Sequence, residues 1–275
     1  MKLIACEMTS TMKFDKLKNL IDLGGVRLVN GLHTRHGLIF RAGAMNSLSD
    51  DDCARLSDGL GVHTIIDLRT NLELEERPDV KVPGTNYVHI PMFTESVFGI
   101  SKERGSDIGT YVKHTWNRKA IRAALPDMMG IYSSVMTDRQ IVDRIGEAMH
   151  LVINNVIEGR PTLFHCSQGK DRTGALASLL LLLLGADRET VLAEYERGGR
   201  VNRVKAVVEF ILVSIFKLDP KAALDIYHAE LAEKRFIASS LDTIDRVYGS
   251  TDALFRDRLG ISDELRGKFR AALCE

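Results

Sequence analysis

Three short apolar segments constrain the fold more than any other feature of the chain. They are HTIIDL (63–68), YVHIP (87–91) and TLFHC (162–166). Continuous apolar runs of this length are typical of strands that are buried on both faces of a parallel sheet. A fourth segment, GLIFRAG (37–43), has turn residues at both ends and is also predicted to be a strand.

Helical patterns separate these strands. Ser49 is followed by three aspartates, which is typical of an N-cap and an acidic first turn and predicts a helix over 49–59. Between 138 and 157, apolar residues recur at the spacing of a helix face, so a helix leads into the strand 162–166. Strands that alternate with helices predict an α/β fold with a mostly parallel central sheet flanked by helices.

The segment 94–136 does not follow this alternation. It contains four glycines, the only tryptophan (Trp116) and several basic residues. It is either an ordinary irregular connection or an insertion that covers a site, because long connections in compact domains are often lids. We favour a helical insertion that acts as a lid.

The pattern is nearly all helical after residue 172. The predicted helices are 173–184, 187–196, 200–217, 221–234, 238–248 and 262–273. We expect the helices of 186–275 to pack on the same domain as the sheet. The whole chain, 1–275, then forms one domain, which its 45% hydrophobic content allows.

Charge and cysteine content exclude several classes of function. Thirty-seven basic residues balance thirty-seven acidic ones, so no global field favours nucleic acid or an anionic membrane as a partner. Any anion site must therefore be local. The four cysteines are far apart and form no C-x-x-C pair, which favours free thiols over a disulfide framework or a zinc site.

No segment of the sequence indicates a membrane span. The longest apolar run, 175–184, is about half the length that a bilayer requires and predicts a buried helix. The first ten residues lack the apolar region of a signal peptide. We therefore expect a cytoplasmic location, or export if a leader has been removed.

The segment LFHCSQGKDRTG (163–174) carries the candidate site. A strand that ends at Cys166, passes through a loop with Gly169 and enters a helix near Arg172 places successive backbone N–H groups around one point. The helix dipole and nearby cations favour the thiolate at the edge of such an anion cradle. Arginine offers a planar fork to two oxygens of a tetrahedral anion. The pattern predicts a cysteine nucleophile beside a bound phosphate.

Two other interpretations of this segment fit less well. A nucleotide-binding Walker loop has glycine five positions before its Gly-Lys pair, where this chain has Phe164, and Ser or Thr where it has Asp171. A buried structural cysteine is the default for a lone Cys. It does not account for the other matched positions around Cys166.

The run from His165 to Gly174 resembles the H-C-x5-R-[ST] loop of the cysteine-dependent protein tyrosine phosphatase superfamily. Its Gly-Lys-Asp-Arg-Thr version is similar to a bacterial branch with broader activity, which includes phosphoserine, phosphothreonine and phosphoinositide substrates. Further segments agree with that branch over about residues 20–185: DLGG (22–25), FRAG (40–43) and DLRT (67–70) with Glu73, Glu76, Arg77 and Pro78. The resemblance implies a protein tyrosine phosphatase-like fold.

The resemblance also implies roles for individual residues. Cys166 would attack phosphorus to give a phosphocysteine, which water then hydrolyses without a metal or other cofactor. Thr173 would hydrogen-bond to the sulfur, and His165 would order the loop through backbone hydrogen bonds. The residues expected to bind phosphate are Ser167, Gln168, Gly169, Lys170, Asp171 and Arg172.

Two aspartates are candidates for the general acid that protonates the leaving oxygen. Most of the superfamily uses an aspartate on a separate movable loop, whereas the resembled branch uses one inside the phosphate loop, here Asp171. We favour Asp171. The first rival is Asp67, at the carboxyl end of a predicted strand. For Asp67 we favour the role of a loop anchor that pairs with Arg172 or Arg69.

Three basic residues are candidate substrate contacts. Lys170 is expected near the mouth of the pocket, where its ammonium would meet a second phosphate. That position would favour acidic substrates such as phosphoinositides without excluding phosphotyrosine. Arg41 and Arg69 suit strand-end ion pairs as well as substrate contacts.

Three functions remain in competition. The first is a broad-specificity phosphatase that acts on a phosphorylated protein or a phosphoinositide and releases inorganic phosphate. The second is a phospho-ligand-binding module without turnover, although Cys166 and Arg172 are both present. The third is another Cys-x5-Arg enzyme, such as an arsenate reductase or a dual-specificity-type phosphatase without an acid loop. No cysteine spacing suggests the resolving thiols of a reductase, and we favour the first function.

Overall fold

The computed structural model describes residues 14–94, 125–199, 203–216 and 220–275. Its five-stranded sheet consists of β1 (Ile21–Asp22), β2 (Ile39–Ala42), β3 (Thr64–Asp67), β4 (Asn86–His89) and β5 (Thr162–His165). The order across the sheet is β1-β2-β5-β3-β4. β1 is antiparallel to β2, and the other neighbouring pairs are parallel. The predicted α/β class with a mostly parallel sheet is confirmed.

The four predicted strands are all present, and the short edge strand β1 adds to them. β1 pairs with β2 only through Ile21–Arg41 and Asp22–Phe40. Two residues are too few to leave an alternating pattern in the sequence. This explains why sequence analysis did not find it.

The parallel register aligns the carboxyl ends of the three central strands. Ala42 lies beside His165, and His165 lies beside Asp67. Ligands of open α/β sheets bind outside this edge. The loop after β5 therefore emerges between the segments that follow β2 and β3.

The helices surround the sheet. They are α1 (Asp50–Ala54), α2 (Asn71–Glu76), α3 (Met128–Val135), α4 (Arg139–Ile157), α5 (Asp171–Leu184), α6 (Arg188–Arg197), α7 (Arg203–Phe216), α8 (Pro220–Glu230), α9 (Lys234–Tyr248), α10 (Thr251–Ala253) and α11 (Asp263–Leu273). π-helical turns continue α1 over Arg55–Gly59 and α10 over Leu254–Arg258.

Helix starts follow the capping residues in the sequence. The predicted N-cap Ser49 accepts a hydrogen bond from the Asp52 N–H at 3.1 Å. Asp138 caps α4 in the same way and accepts from the N–H groups of Gln140 and Ile141. These contacts explain why 49–59 and 138–157 were predicted close to their observed bounds.

The six helices predicted after residue 172 are present as α5 to α9 and α11, although not every bound agrees. The predicted helix 221–234 ends at Glu230, and the next begins at Lys234 rather than at 238. Glu233 has an extended backbone (φ −81°, ψ 138°), which separates the two helices. The short helices α2 and α10 were not predicted, and α3 was predicted only as part of a helical insertion without bounds, because six, three and eight residues carry too little periodicity.

The predicted insertion 94–136 falls mostly outside the described residues, as does Trp116. Its described end forms α3. The lid prediction therefore stays a prediction for residues 95–124.

Apolar residues cover both faces of the sheet. Ile66 and Phe164 belong to a large core that also contains α4 and α5. Their sequence neighbours Ile65 and Leu163 belong to a smaller core with residues of α1 on the other face. This arrangement accounts for the continuous apolar runs in the central strands.

The predicted buried helix 173–184 is confirmed as α5, which is buried along nearly its whole length. Its first turn follows the candidate site directly. Among the residues that the structure describes, no helix is both long and apolar enough to cross a bilayer.

Candidate active site

The loop between β5 and α5 has the predicted strand-loop-helix form. Cys166 directly follows β5 and is 2% exposed, and α5 begins at Asp171. Gly169 has φ +68°, and a Cβ there would lie 2.5 Å from the carbonyl of Ala42. Only glycine fits, because the conformation is left-handed and β2 passes directly behind it.

The carbonyl groups of this loop are bound to the scaffold behind it. Ser167 O accepts from the Ala44 N–H at 3.2 Å. The side-chain amide of Asn19 donates to Gln168 O at 3.0 Å and to Gly169 O at 3.2 Å. Since C=O and N–H of a trans peptide point in opposite directions, these contacts leave the loop amides facing the other way, as an anion cradle requires.

Arg41 supports the same loop from below. Its side chain is completely buried, and Nη2 donates to Gly169 O at 2.8 Å and to Lys170 O at 3.3 Å. Of the two roles considered for Arg41, the geometry favours a structural contact, because a buried side chain bound to the loop backbone does not reach substrate. Asn19, with φ 57°, is a supporting residue that sequence analysis missed.

The environment of Cys166 favours its thiolate. Burial raises the pKa of the thiol, but the charge of Arg172 and the neighbouring Thr173 lower it further than burial raises it. The net pKa is below the ordinary value. Cys166 and Arg172 thus lie close enough for the charge of the guanidinium to favour the thiolate, as the sequence predicted. The Thr173 hydroxyl is buried and makes no hydrogen bond to any residue that the structure describes, so its predicted contact with the sulfur stays a prediction.

Glu73 holds the Arg172 guanidinium in a two-point ion pair. Arg172 Nη1 lies 2.5 Å from Glu73 Oε2, and Nη2 lies 2.9 Å from Oε1. The hydroxyl of Ser167 also donates to Glu73. Burial raises the pKa of Glu73, but the adjacent guanidinium lowers it more, to about 2. Glu73 is an orienting residue to which sequence analysis gave no role.

The start of α2 places Glu73. Thr70 is the N-cap of α2, and its hydroxyl accepts from the Glu73 N–H at 3.1 Å. The Glu73 carboxylate accepts in turn from the Thr70 N–H at 3.0 Å. This capping box is visible in the sequence as T-x-x-E, and it is the signal that could have identified the residue.

Asp171 is the first residue of α5 and is 4% exposed. Its Oδ1 accepts from the Tyr132 hydroxyl at 2.5 Å, and its Oδ2 lies 3.4 Å from Lys170 Nζ. The Tyr132 hydroxyl is also 2.5 Å from that of Tyr195. Sequence analysis missed both tyrosines.

The side chain of Lys170 does not lie where it was expected. Its Nζ donates to the carbonyl of Ala229, near the end of α8, at 2.7 Å, and the residue is 1% exposed. The ammonium is therefore turned into the protein and not toward a pocket mouth. The expected contact with a second substrate phosphate has no support from this position.

Asp67 lies in a buried charge network beneath the loop. Arg69 donates to both of its oxygens, and Nη2 reaches Oδ2 at 2.7 Å. The Tyr87 hydroxyl donates to the same Oδ2 at 2.6 Å. Burial raises the pKa of Asp67, but the charges of His165 and Arg69 and these hydrogen bonds lower it well below its usual range. A carboxyl held ionised in this way suits an anchor better than a proton donor.

His165 lies in the same network and beside the loop. Its Nε2 is 3.1 Å from Asp79 Oδ2, and its Nδ1 is 3.4 Å from the carbonyl of Cys166. Burial lowers the pKa of the imidazole, but the charges of Asp67 and Asp79 raise it by more. The ring thus links the carboxylates below the loop to the backbone of the nucleophile.

Three potential metal ligands meet in this network: Asp67, Asp79 and His165 place ligand atoms within 4.8 Å of one another. Arg69 Nη2, however, is 2.7 Å from Asp67 Oδ2 and 2.7 Å from Asp79 Oδ2. The guanidinium already occupies the position between the carboxylates, so the group is better described as an ion-pair network. Arg69 is 1% exposed and, like Arg41, lies away from solvent.

Comparisons with known proteins agree with this geometry. The chain is 29% identical to the triple specificity protein phosphatase PtpB of Mycobacterium tuberculosis over 255 residues, which cover 87% of this chain and 91% of that protein. It is 27% identical to the Cupriavidus necator protein named "Putative tyrosine-protein phosphatase H16_A0669" over 264 residues, which cover 94% of this chain and 88% of that protein. The crystal structure of P. aeruginosa TpbA aligns with a TM-score of 0.30 and 15% identity over 61% of this chain and 73% of that chain, a score too low to support an inference.

A sequence model of the tyrosine phosphatase family matches residues 12–275, which is nearly the whole chain. The match includes the loop that carries Cys166, the capping box that carries Glu73 and the helices that follow. The chain belongs to the tyrosine phosphatase family.

Proposed function

We propose that this tyrosine phosphatase hydrolyses several kinds of phosphomonoester, with Cys166 as nucleophile and Asp171 as general acid. One observation carries the proposal. The loop carbonyls are bound to Asn19, Arg41 and Ala44, so the N–H groups of the same peptides point away from this scaffold and can form an anion cradle. A phosphoryl group in this cradle lies beside a nucleophile with a lowered pKa.

The first chemical step transfers the phosphoryl group to sulfur. The Cys166 thiolate forms an S–P bond while the bond from phosphorus to the leaving oxygen breaks. The electron pair of that bond goes to the leaving oxygen, which takes the proton from the Asp171 carboxyl group. Arg172 and the loop amides hold the three equatorial oxygens as charge develops.

The second step restores the enzyme. Water attacks phosphorus, its proton passes to the Asp171 carboxylate, and the S–P bond breaks. Phosphate leaves and the thiolate returns. Thr173 would favour this departure if its buried hydroxyl turned to donate to the charged sulfur.

Two features support Asp171 over Asp67 as the acid. Asp171 opens α5 directly after the loop that carries Cys166, whereas Asp67 belongs to β3 and both of its oxygens are bound by Arg69. A donor must come within hydrogen-bond reach of the leaving oxygen. Asp67 would first have to break a buried ion pair.

Broad specificity is the finer part of the proposal. The name of the M. tuberculosis relative records triple specificity for that protein, and the Gly-Lys-Asp-Arg-Thr loop resembles the branch with phosphoserine, phosphothreonine and phosphoinositide activity. The inward position of Lys170 adds no support for lipid substrates in particular. Inorganic phosphate is the common product.

The test is steady-state phosphate release by wild type, Cys166→Ser and Asp171→Asn. The substrates are a phosphotyrosine peptide, a phosphoserine peptide, a set of phosphoinositides and an activated aryl phosphate. We expect no turnover by Cys166→Ser. We expect Asp171→Asn to lose about 100- to 1,000-fold on the peptides and much less on the activated ester, because only poor leaving groups require the proton.

Other outcomes point elsewhere. If wild type binds phosphate but hydrolyses none of these esters, the protein is a binding module. If Asp171→Asn loses the same factor on every ester, Asp171 is not the proton donor. Turnover in chelator and its loss on thiol oxidation separate this mechanism from a metal-dependent one.

A further inference from the structure

The carboxyl group proposed as the general acid ends a chain of buried hydroxyl groups. Tyr195 and Tyr132 meet with their hydroxyl oxygens 2.5 Å apart, and the Tyr132 hydroxyl donates to Asp171 Oδ1 at 2.5 Å. The tyrosines are 1% and 2% exposed. They come from α6 and α3, so three helices converge on one carboxyl group.

The protons of this chain have one consistent direction. Each phenol has a single hydroxyl proton. The Tyr132 proton is donated to Asp171, so the Tyr132 oxygen accepts the proton of Tyr195. Burial raises the pKa of both phenols well above the ordinary value, and the charge of Asp171 raises it further. Both hydroxyls therefore stay protonated at neutral pH and can each donate one hydrogen bond.

Packing leaves the two phenols little freedom. The ring of Tyr132 stacks on Phe236 at 5.7 Å between centroids and meets Tyr195 edge to face at 6.1 Å. Its backbone carbonyl accepts from Ser240 at 2.7 Å. Gly174 makes room for Tyr195, since a Cβ there would lie 2.8 Å from the ring. The chain is a built feature of α3, α5, α6 and α9.

We propose that Tyr132 is the positioning residue of the general acid, with Tyr195 as its support. The Tyr132 hydroxyl donates to Oδ1 of Asp171, so the proton that Asp171 transfers is carried on the other oxygen, Oδ2. The carboxyl group is fixed in one rotamer, and Oδ2 is the oxygen offered to the substrate. The inference rests on the proposed function, because it gives Tyr132 a role only through Asp171.

The surroundings of Asp171 agree with this division between its oxygens. Lys170 Nζ is 3.4 Å from Oδ2, but it already donates to Ala229 O at 2.7 Å. The charge of Asp171 also acts on Cys166, whose pKa it raises. Oδ2 is therefore the oxygen whose partner can change during turnover, whereas Oδ1 stays with Tyr132.

The experiment compares Tyr132→Phe, Tyr195→Phe and Asp171→Asn on a series of aryl phosphates of graded leaving-group acidity. Tyr132→Phe keeps the stacked ring and removes one hydrogen bond to the Asp171 carboxyl group. We expect it to lose about tenfold in kcat on the poorest leaving group and little on the best, without a matching change in KM. Tyr195→Phe should show a smaller loss with the same dependence.

The matched control is Tyr248→Phe. Its hydroxyl donates to the Met136 carbonyl at the C-terminal end of α3 at 2.9 Å. This change loosens the helix that carries Tyr132 without touching Asp171. It should leave the leaving-group dependence as in wild type. If the Tyr132 hydroxyl has only a structural role, Tyr132→Phe and Tyr248→Phe should both lose the same factor in kcat on every ester.

The double variant Tyr132→Phe/Asp171→Asn separates the inference from the proposed function. It should be no more sensitive to the leaving group than Asp171→Asn, because the tyrosine acts through the missing acid. The inference is wrong and the proposed function stands if kcat of Asp171→Asn depends more strongly on leaving-group acidity than wild type, but kcat of Tyr132→Phe shows the wild-type dependence. If Asp171→Asn has the same leaving-group dependence as wild type while Cys166→Ser is inactive, Asp171 is not the general acid. The inference about Tyr132 is then wrong as well.

Discussion

Single residues decide whether the phosphate loop can form at all. Gly169 combines a left-handed backbone with close contact to the carbonyl of Ala42, and Asn19 and Arg41 bind the loop carbonyls that this conformation turns backward. An unpaired buried carbonyl would cost about 1–3 kcal/mol. The side chains that perform the chemistry therefore depend on residues that never reach the substrate.

Gly169→Ala should abolish most activity and lower the free energy of unfolding. The new methyl group would lie 2.5 Å from the Ala42 carbonyl, so β2 or the loop must shift. The control is Gly61→Ala, which has a similar φ of +63° but no atom within 4 Å of the added Cβ. We expect about 1 kcal/mol of destabilisation and full activity from the control.

Urea denaturation and phosphate release measure the two variants side by side. Both variants place alanine in a left-handed conformation, but only Gly169→Ala contacts β2. The difference between their free energies of unfolding therefore measures the effect of that contact. Equal destabilisation would contradict a special role for the contact with β2. Full activity of Gly169→Ala would show that the loop tolerates a different backbone path.

At the scale of elements, the six-residue helix α2 links backbone capping to catalysis. Its N-cap Thr70 fixes Glu73, and Glu73 fixes Arg172. A helix of this length has little stability of its own. The capping box is therefore the local feature on which the position of the guanidinium depends.

Thr70→Ala should lower both stability and activity. Loss of the cap costs about 1 kcal/mol, and release of Glu73 loosens Arg172, so we expect a loss of about tenfold in kcat/KM. Ser262→Ala removes an equivalent N-cap from α11, where the hydroxyl accepts from the Leu265 N–H at 3.2 Å. This control should lose similar stability and retain activity, as thermal melting and steady-state kinetics would show. Equal activity losses in both variants would contradict the proposed link.

Sequence patterns predict the elements well and the contacts between them poorly. The strands and long helices follow from periodicity, and Cys166 and Arg172 follow from one short motif. Glu73 meets Ser167 across 94 positions of the chain, and Asn19 meets Gln168 across 149. No local pattern records such contacts. Lys170 was placed wrongly for the same reason, because its partner Ala229 lies on a helix 59 positions away.

At the scale of the whole molecule, stability is coupled to pH through the buried ion pairs. Ionised Glu73 stabilises the fold because it pairs with buried Arg172, and its pKa falls from 4.5 to about 2 on folding. A lowered carboxyl pKa contributes stability that is present above about pH 4.5. It is lost as pH falls toward about 2.

Glu73→Gln tests this coupling. At neutral pH we expect the variant to be less stable than wild type by about 3 kcal/mol, the equivalent of the pKa shift. The difference should shrink steadily between about pH 4.5 and 2, because wild type then protonates Glu73 and loses its advantage. Urea denaturation at several pH values measures it. A difference that does not change over this range would show that the ion pair does not carry the effect.

The carboxamide of Asn19 binds both the phosphate loop and the carbonyl of Gly198, so it joins parts of the chain that are 149 and 179 positions apart. During synthesis, Cys166 is added to the chain before Tyr195 and Gly198. A nascent chain that ends between Arg172 and Tyr195 contains the cysteine and the arginine of the loop, but not the contacts that Tyr195 and Gly198 make with Tyr132 and Asn19. We expect such a chain to lack the complete site, so that competence for phosphate release depends on synthesis of the segment up to Gly198.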